Sequence, residues 1–123
     1  MNIKKFITSL GYACAGFKIA WRDEQTFRID VIGGLLALGL GFLLHLTPVQ
    51  FSLIFIVCGL VLATEAINTA LEELCDTFQS KEDPHIAKIK DLGAAASLLA
   101  SLAALGVGIV IFVPAIFAAL SAY

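Results

Sequence analysis

The chain has 123 residues, of which 59% are hydrophobic and 15% charged, with a formal net charge of −2. A mean hydropathy of +0.93 and an isoelectric point near 5.5 exclude an ordinary water-soluble domain of this length. The weak negative balance offers no basic field to a phosphate backbone, so nucleic-acid binding is excluded too.

Hydropathy is unevenly spread, because no Asp, Glu, Lys or Arg lies between Asp30 and Glu65 or beyond Asp91. Cys14, Cys58 and Cys75 are far apart and lack any CxxC spacing, which argues against a disulfide framework or a zinc site and for packing roles. Lys4 and Lys5 precede only a short apolar run that breaks at Gly11, so no cleavable signal is expected. Leu10 to Cys14 does not make a lipoprotein box, since Tyr12 is too large.

At 100° per residue, Ile3, Phe6, Ile7, Leu10, Cys14, Phe17 and Trp21 fall within an arc of about 100°, flanked by Lys4, Lys18 and Arg22. This predicts an amphipathic surface helix over residues 2–22, with Gly11 and Gly16 as places to bend. After a polar break at 22–26, residues 27–46 give about 20 mostly apolar positions, enough for a first span. Thr47-Pro48-Val49-Gln50 combines an N-cap, a proline at the first helical position and a capping-box glutamine, starting a helix over 48–78. That helix is about 46 Å long, so it crosses the membrane and protrudes. A polar turn at 79–83 leads to Asp83-Pro84, which starts a third span over 84–113, where Pro114 is expected to end or kink it. Two rows of small residues, Ala96, Ala100, Ala104 and Gly108, and Gly93, Ser97 and Ser101, give this helix close-packing surfaces. The expected fold is an all-α membrane protein forming a single domain over 1–123. All eight Lys and Arg fall at 4–28 or 81–90, which puts both segments and the N-terminus on the cytoplasmic side and the C-terminus outside.

The most informative segment is Glu65-Ala66-Ile67-Asn68-Thr69-Ala70-Leu71-Glu72-Glu73-Leu74-Cys75-Asp76. Positions i, i+3, i+7 and i+11 share one helix face, so Glu65, Asn68, Glu72 and Asp76 form one polar stripe. From Pro48, Glu65 lies about 25 Å along the helix and Glu72 about 36 Å, so the stripe passes from lipid to water. A turn centred near Lys81 pairs the level of Glu72 with Lys90, and of Asn68 with Ala94. Glu24 and Arg28, at the entrance to the first span, belong to the same layer. Solvated ion pairing accounts for Glu73, Glu82 and Lys88. A carboxylate as deep as Glu65 is costly in lipid and usually faces a partner or pathway. Such a stripe suits phosphoryl transfer from a water-soluble donor to a lipid hydroxyl. Glu65 would take the hydroxyl proton, Glu72 with Glu24 would hold a divalent metal on the phosphates, and Lys90 would neutralise phosphate charge. There is no Walker A sequence or kinase glycine loop, and Gly39-Leu40-Gly41 lies inside a span.

These residues resemble the small integral-membrane bacterial lipid kinases, diacylglycerol kinase and undecaprenol kinase. The likeness runs from Gly11-Tyr12 through Trp21, Glu24 and Phe27-Arg28 to the Glu65-x-x-Asn68-Thr69-Ala70-x-Glu72-x-x-x-Asp76 block and Lys90-Asp91. It implies a homotrimer in the bacterial inner membrane with active sites shared between subunits, using ATP and Mg²⁺ on diacylglycerol or undecaprenol. By the same resemblance Glu65 is the catalytic base with Asn68 in support, and Glu24 and Glu72 are metal ligands. Lys5, Tyr12, Glu24, Glu72, Asp76, Asp83, Lys90 and Asp91 are nucleotide contacts, and Trp21, Arg28, Glu65 and Ala94 lie on the lipid path. Ala13 stands where some members have serine and Asp83 where some have histidine, while His85 is one step beyond Pro84. Trp21 also suits an interfacial anchor, and His45 is placed at the outer surface.

Two rivals differ in class. A small proton-coupled transporter would cycle protons on Glu65 but needs a polar site open to both sides, and the outer half of every span lacks ionisable residues. A non-catalytic assembly subunit would use the carboxylates only to pair with Lys90 and Arg28.

Overall fold

The structure is a computed structural model that describes residues 1–78 and 83–123; the expected turn centre near Lys81, and Glu82, lie outside the described residues. Four helices follow in order: α1 (Ile3–Asp23), α2 (Gln25–Leu43), α3 (Pro48–Thr77) and α4 (Pro84–Leu120). The last three are long and apolar enough to cross a membrane. The chain is an all-α membrane protein.

Local chemistry explains where each helix begins. Asn2 accepts from the Lys5 backbone N–H to cap α1. At α3 the Thr47 hydroxyl accepts from Gln50 N–H while the Gln50 side chain accepts from Thr47 N–H, a complete capping box beside Pro48. Asp83 accepts from His85 N–H to cap α4 ahead of Pro84. Arg28 donates to the backbone carbonyls of Trp21 and Arg22, satisfying the C-terminal end of α1 and fixing the α1–α2 junction.

The α2–α3 turn closes with His45 N–H donating to Phe42 O and Leu46 N–H to Gly41 O, the bond pattern of a Schellman motif. His45 sits at φ 54, a left-handed position that usually takes glycine. Leu46 turns inward to pack with Ile54 and Ile111, and Phe51 lies so close to Gly41 that a Cβ there would come within 2.8 Å of its ring.

Helix α4 does not stop at Pro114 but runs on to Leu120. Inside a membrane a broken helix would leave several backbone groups without partners, whereas the proline removes only one hydrogen bond. Helix α1 likewise continues through Gly11 and Gly16.

Among the described residues no large side chain is less than 2% exposed, so the single chain has little core of its own. Its many exposed Leu, Ile and Phe residues need lipid or further protein against them. Helix α1 buries only Ala20, as fits a helix whose apolar face meets the membrane. Cys75 is buried and Cys58 half-buried, but Cys14 is exposed, which corrects the packing role within the chain expected for it.

The closest packing is between α3 and α4, where Gly93, Ser97, Ala100 and Ile111 are buried and Ala104 and Val107 half-buried. This seam alternates steps of four and three, switching between the two small-residue rows rather than following either. On α3 the facing positions Ile54, Cys58, Val61, Glu65, Asn68 and Cys75 keep the same rhythm.

Candidate active site

The polar stripe thus occupies the seam itself at the end nearest the start of α4. Glu65 is half-buried, and its carboxylate accepts a hydrogen bond from the Ser97 hydroxyl of α4. Ser97 is only 7% exposed, so this contact is shielded from water. One turn further in, Asn68 Nδ2 donates to Glu72 Oε1 at 3.3 Å. Its Oδ1 is buried without a donor and lies against Gly93. At the aqueous end Lys90 Nζ meets Asp76 Oδ1 at 2.7 Å, with both side chains substantially exposed. A pair so placed adds little to stability and can be exchanged for a ligand anion.

The levels differ from expectation in one respect. Glu65 faces Ser97 and Asn68 faces Gly93, close to the register drawn from the turn, but Lys90 reaches Asp76 and not Glu72. A long ammonium chain bends toward the water while its stem stays on apolar surface. Glu72 is therefore exposed and bonded only to Asn68 among the described residues.

Asp30, in α2, was not among the candidates. It is half-buried, and one carboxylate oxygen has no partner among the described residues. It lines the inner end of an apolar groove of about 310 Å³ between α2, α3 and α4, bounded by Gly34, Cys58, Val61 and Ser101. The sequence signal was available: an acid within the first turns of an apolar span invites the argument made for Glu65. Ser97 was read as a small residue only, although the level rule places it opposite Glu65.

The remaining candidates are spread over α1, the α1–α2 junction and the start of α4. Glu24 is half-buried at the α1–α2 junction, where it caps no backbone group with its side chain. Lys5 and Tyr12 are exposed on α1 and their side chains form no hydrogen bond or ion pair among the described residues, and Trp21 is 45% exposed near the end of α1. Asp83 is used as the α4 cap, Arg28 as the α1 clamp, while Asp91, His85 and Ala94 are exposed.

No group of three or more His, Cys, Asp or Glu able to hold a metal forms among the described residues. The donors present still suit Mg²⁺. They are carboxylates, and this ion is commonly held by one or two carboxylates with substrate phosphates completing its shell.

A family profile described as prokaryotic diacylglycerol kinase matches residues 11–112, which takes in all of α2 and α3, most of α1 and α4, and the whole polar seam. The chain belongs to that family. It is 33% identical over 99 residues to a diacylglycerol kinase of Pseudomonas aeruginosa, covering 80% of each chain. It is 30% identical over 100 residues to the diacylglycerol kinase of Escherichia coli K12, covering 81% of this chain and 82% of the relative. An undecaprenol kinase of Bacillus subtilis is 27% identical over 113 residues, 92% of each chain. The transporter reading finds no support in these relatives.

Proposed function

We propose that this protein transfers the γ-phosphoryl group of ATP to the hydroxyl of a membrane lipid alcohol, diacylglycerol or undecaprenol, at the inner face of a bacterial cytoplasmic membrane. The observation that carries this reading is the shielded Glu65–Ser97 contact at the lipid end of a stripe whose other end, at Glu72 and Asp76, is in water. One helix face thereby reaches both a hydroxyl held in the membrane and a triphosphate held outside it.

In the step itself the lipid oxygen forms a bond to the γ-phosphorus, the bond from that phosphorus to the β–γ bridging oxygen breaks, and ADP leaves. Glu65 accepts the hydroxyl proton, with Ser97 fixing the carboxylate so that its second oxygen faces the alcohol. One chain of the lipid would lie in the groove that ends at Asp30. Glu72 and Glu24 would hold Mg²⁺, which supplies charge neutralisation on the phosphates when bound. Lys90 would leave Asp76 to meet a phosphate, and Asp76, Asp83 and Asp91 would contact the rest of the nucleotide. Lys5 and Tyr12, exposed on α1, would reach the nucleotide of a neighbouring subunit in a homotrimer. The N-terminus would face the cytoplasm and the C-terminus the outside.

The test is phosphate transfer from radiolabelled ATP by purified protein in mixed micelles holding either dioleoylglycerol or undecaprenol. Label should enter at least one lipid and be lost in Glu65→Gln and Glu72→Gln. Wild-type turnover in both variants would refute the assignment.

A further inference from the structure

Resting on that reading, we propose that Gly93 is a positioning residue, whose bare backbone fixes the Asn68 amide so that its Nδ2 engages Glu72. Gly93 is buried in the α3–α4 seam, and a Cβ there would sit 2.5 Å from Asn68 Oδ1, 3.3 Å from Leu71 Cδ1 and 3.6 Å from Asn68 Cγ. Real Cβ atoms do not approach an oxygen so closely, so any side chain at 93 must displace the amide. Asn68 has little freedom to yield, because its side chain is short and its other end is held by Glu72.

The amide orientation follows from its two neighbours. Turned over, Asn68 would direct its oxygen at the Glu72 carboxylate, two acceptors face to face, and its NH₂ at a glycine carbon that accepts nothing. Only the present orientation lets the amide donate to Glu72, and only a residue without a side chain leaves room for the oxygen. This oxygen has no donor among the described residues. Gly93 therefore does more than let two helices approach. At Gly41, where a Cβ would come within 2.8 Å of a neighbour, the atom in the way belongs to a phenylalanine ring at the opposite end of the bundle, so a substitution there disturbs packing alone. Through Asn68, Gly93 sets where the Glu72 carboxylate stands, and with it the affinity for a divalent cation.

Gly93→Ala, Asn68→Ala and the double variant separate this from a packing role. Gly93→Ala should lower kcat about 10- to 100-fold, the scale for a displaced catalytic group. It should also raise the Mg²⁺ concentration for half-maximal rate while leaving the KM for lipid alcohol unchanged. In the Asn68→Ala background, where the obstructing oxygen is gone, Gly93→Ala should have no further effect. Additive losses, or a changed lipid KM with an unchanged Mg²⁺ midpoint, would overturn the proposal. Should Gly93→Ala fail to fold, the double variant should fold as Asn68→Ala does, and its failure would show that the obstruction is not Asn68. A readout independent of turnover is the side-chain amide NMR signal of Asn68 in micelles. Glu72→Gln should shift it in the wild-type protein and leave it unmoved in Gly93→Ala, and equal shifts in both would refute the positioning even if the kinase reading stands. Conversely, retained turnover in Glu72→Gln would refute the kinase reading while the amide coupling survived.

Discussion

In the outer half of the α3–α4 hairpin the seam is filled by Ile54 and Ile111, closed off by Leu46 from the α2–α3 turn. In the inner half the same alternation of three and four residues places Glu65 and Asn68 opposite Ser97 and Gly93. One helix pair thus uses a single spacing for two purposes. Apolar side chains at seam positions gain contact area, whereas polar ones at equivalent positions sacrifice packing and leave Asn68 Oδ1 without a donor. The apolar half is where the hairpin is held, and the polar half is where its candidate chemistry lies.

Substitutions on the two sides should therefore separate activity from stability. The largest effect is expected at Glu65→Gln, which should lower kcat by about 10²- to 10⁴-fold, the range for loss of a general base, with an unchanged thermal midpoint. Ile54→Ala should do the reverse. It should cost about 2 kcal/mol or more of stability, measured by unfolding in detergent, while folded protein turns over at the normal rate. Ser97→Ala removes a hydrogen bond to a carboxylate, a contact worth about 1.5–3 kcal/mol, so kcat should drop roughly 10- to 100-fold with lipid KM little affected. The smallest effect belongs to the outer turn: His45→Gly, relieving a left-handed residue, should raise stability by about 1 kcal/mol or less and leave kinetics alone. A large kinetic effect from either outer substitution, or a large loss of stability from Glu65→Gln, would erase the contrast.

Much of the fold was legible because its signals are local. Thr47-Pro48 and Asp83-Pro84 announce helix starts by hydrogen bonds made within a few residues, and uncharged runs announce spans by length. Pro114 marks a helix end by local rules, but in lipid no water receives the backbone groups a break would free, so α4 continues through it. The stripe on α3 was legible from helical spacing. Its neighbours were legible only as levels: the level rule reached Ser97 and the vicinity of Gly93, but it could not say that Lys90 would bend toward Asp76. Asp30 escaped notice because it marked the edge of an uncharged run and was not weighed as an acid inside a span. A residue such as Tyr12, exposed and without a side-chain hydrogen bond among the described residues, has a role that a single sequence does not display.

The central claim is a division of labour along one face of α3, with the acid in the membrane serving the alcohol and the acids in water serving the nucleotide. Titrating Mg²⁺ and a non-hydrolysable ATP analogue into purified Glu65→Gln and Glu72→Gln tests it most directly. The account predicts wild-type nucleotide affinity in Glu65→Gln despite its lost turnover, and binding weakened about tenfold or more in Glu72→Gln. Equal weakening in both, or normal binding in Glu72→Gln with loss in Glu65→Gln, would contradict it.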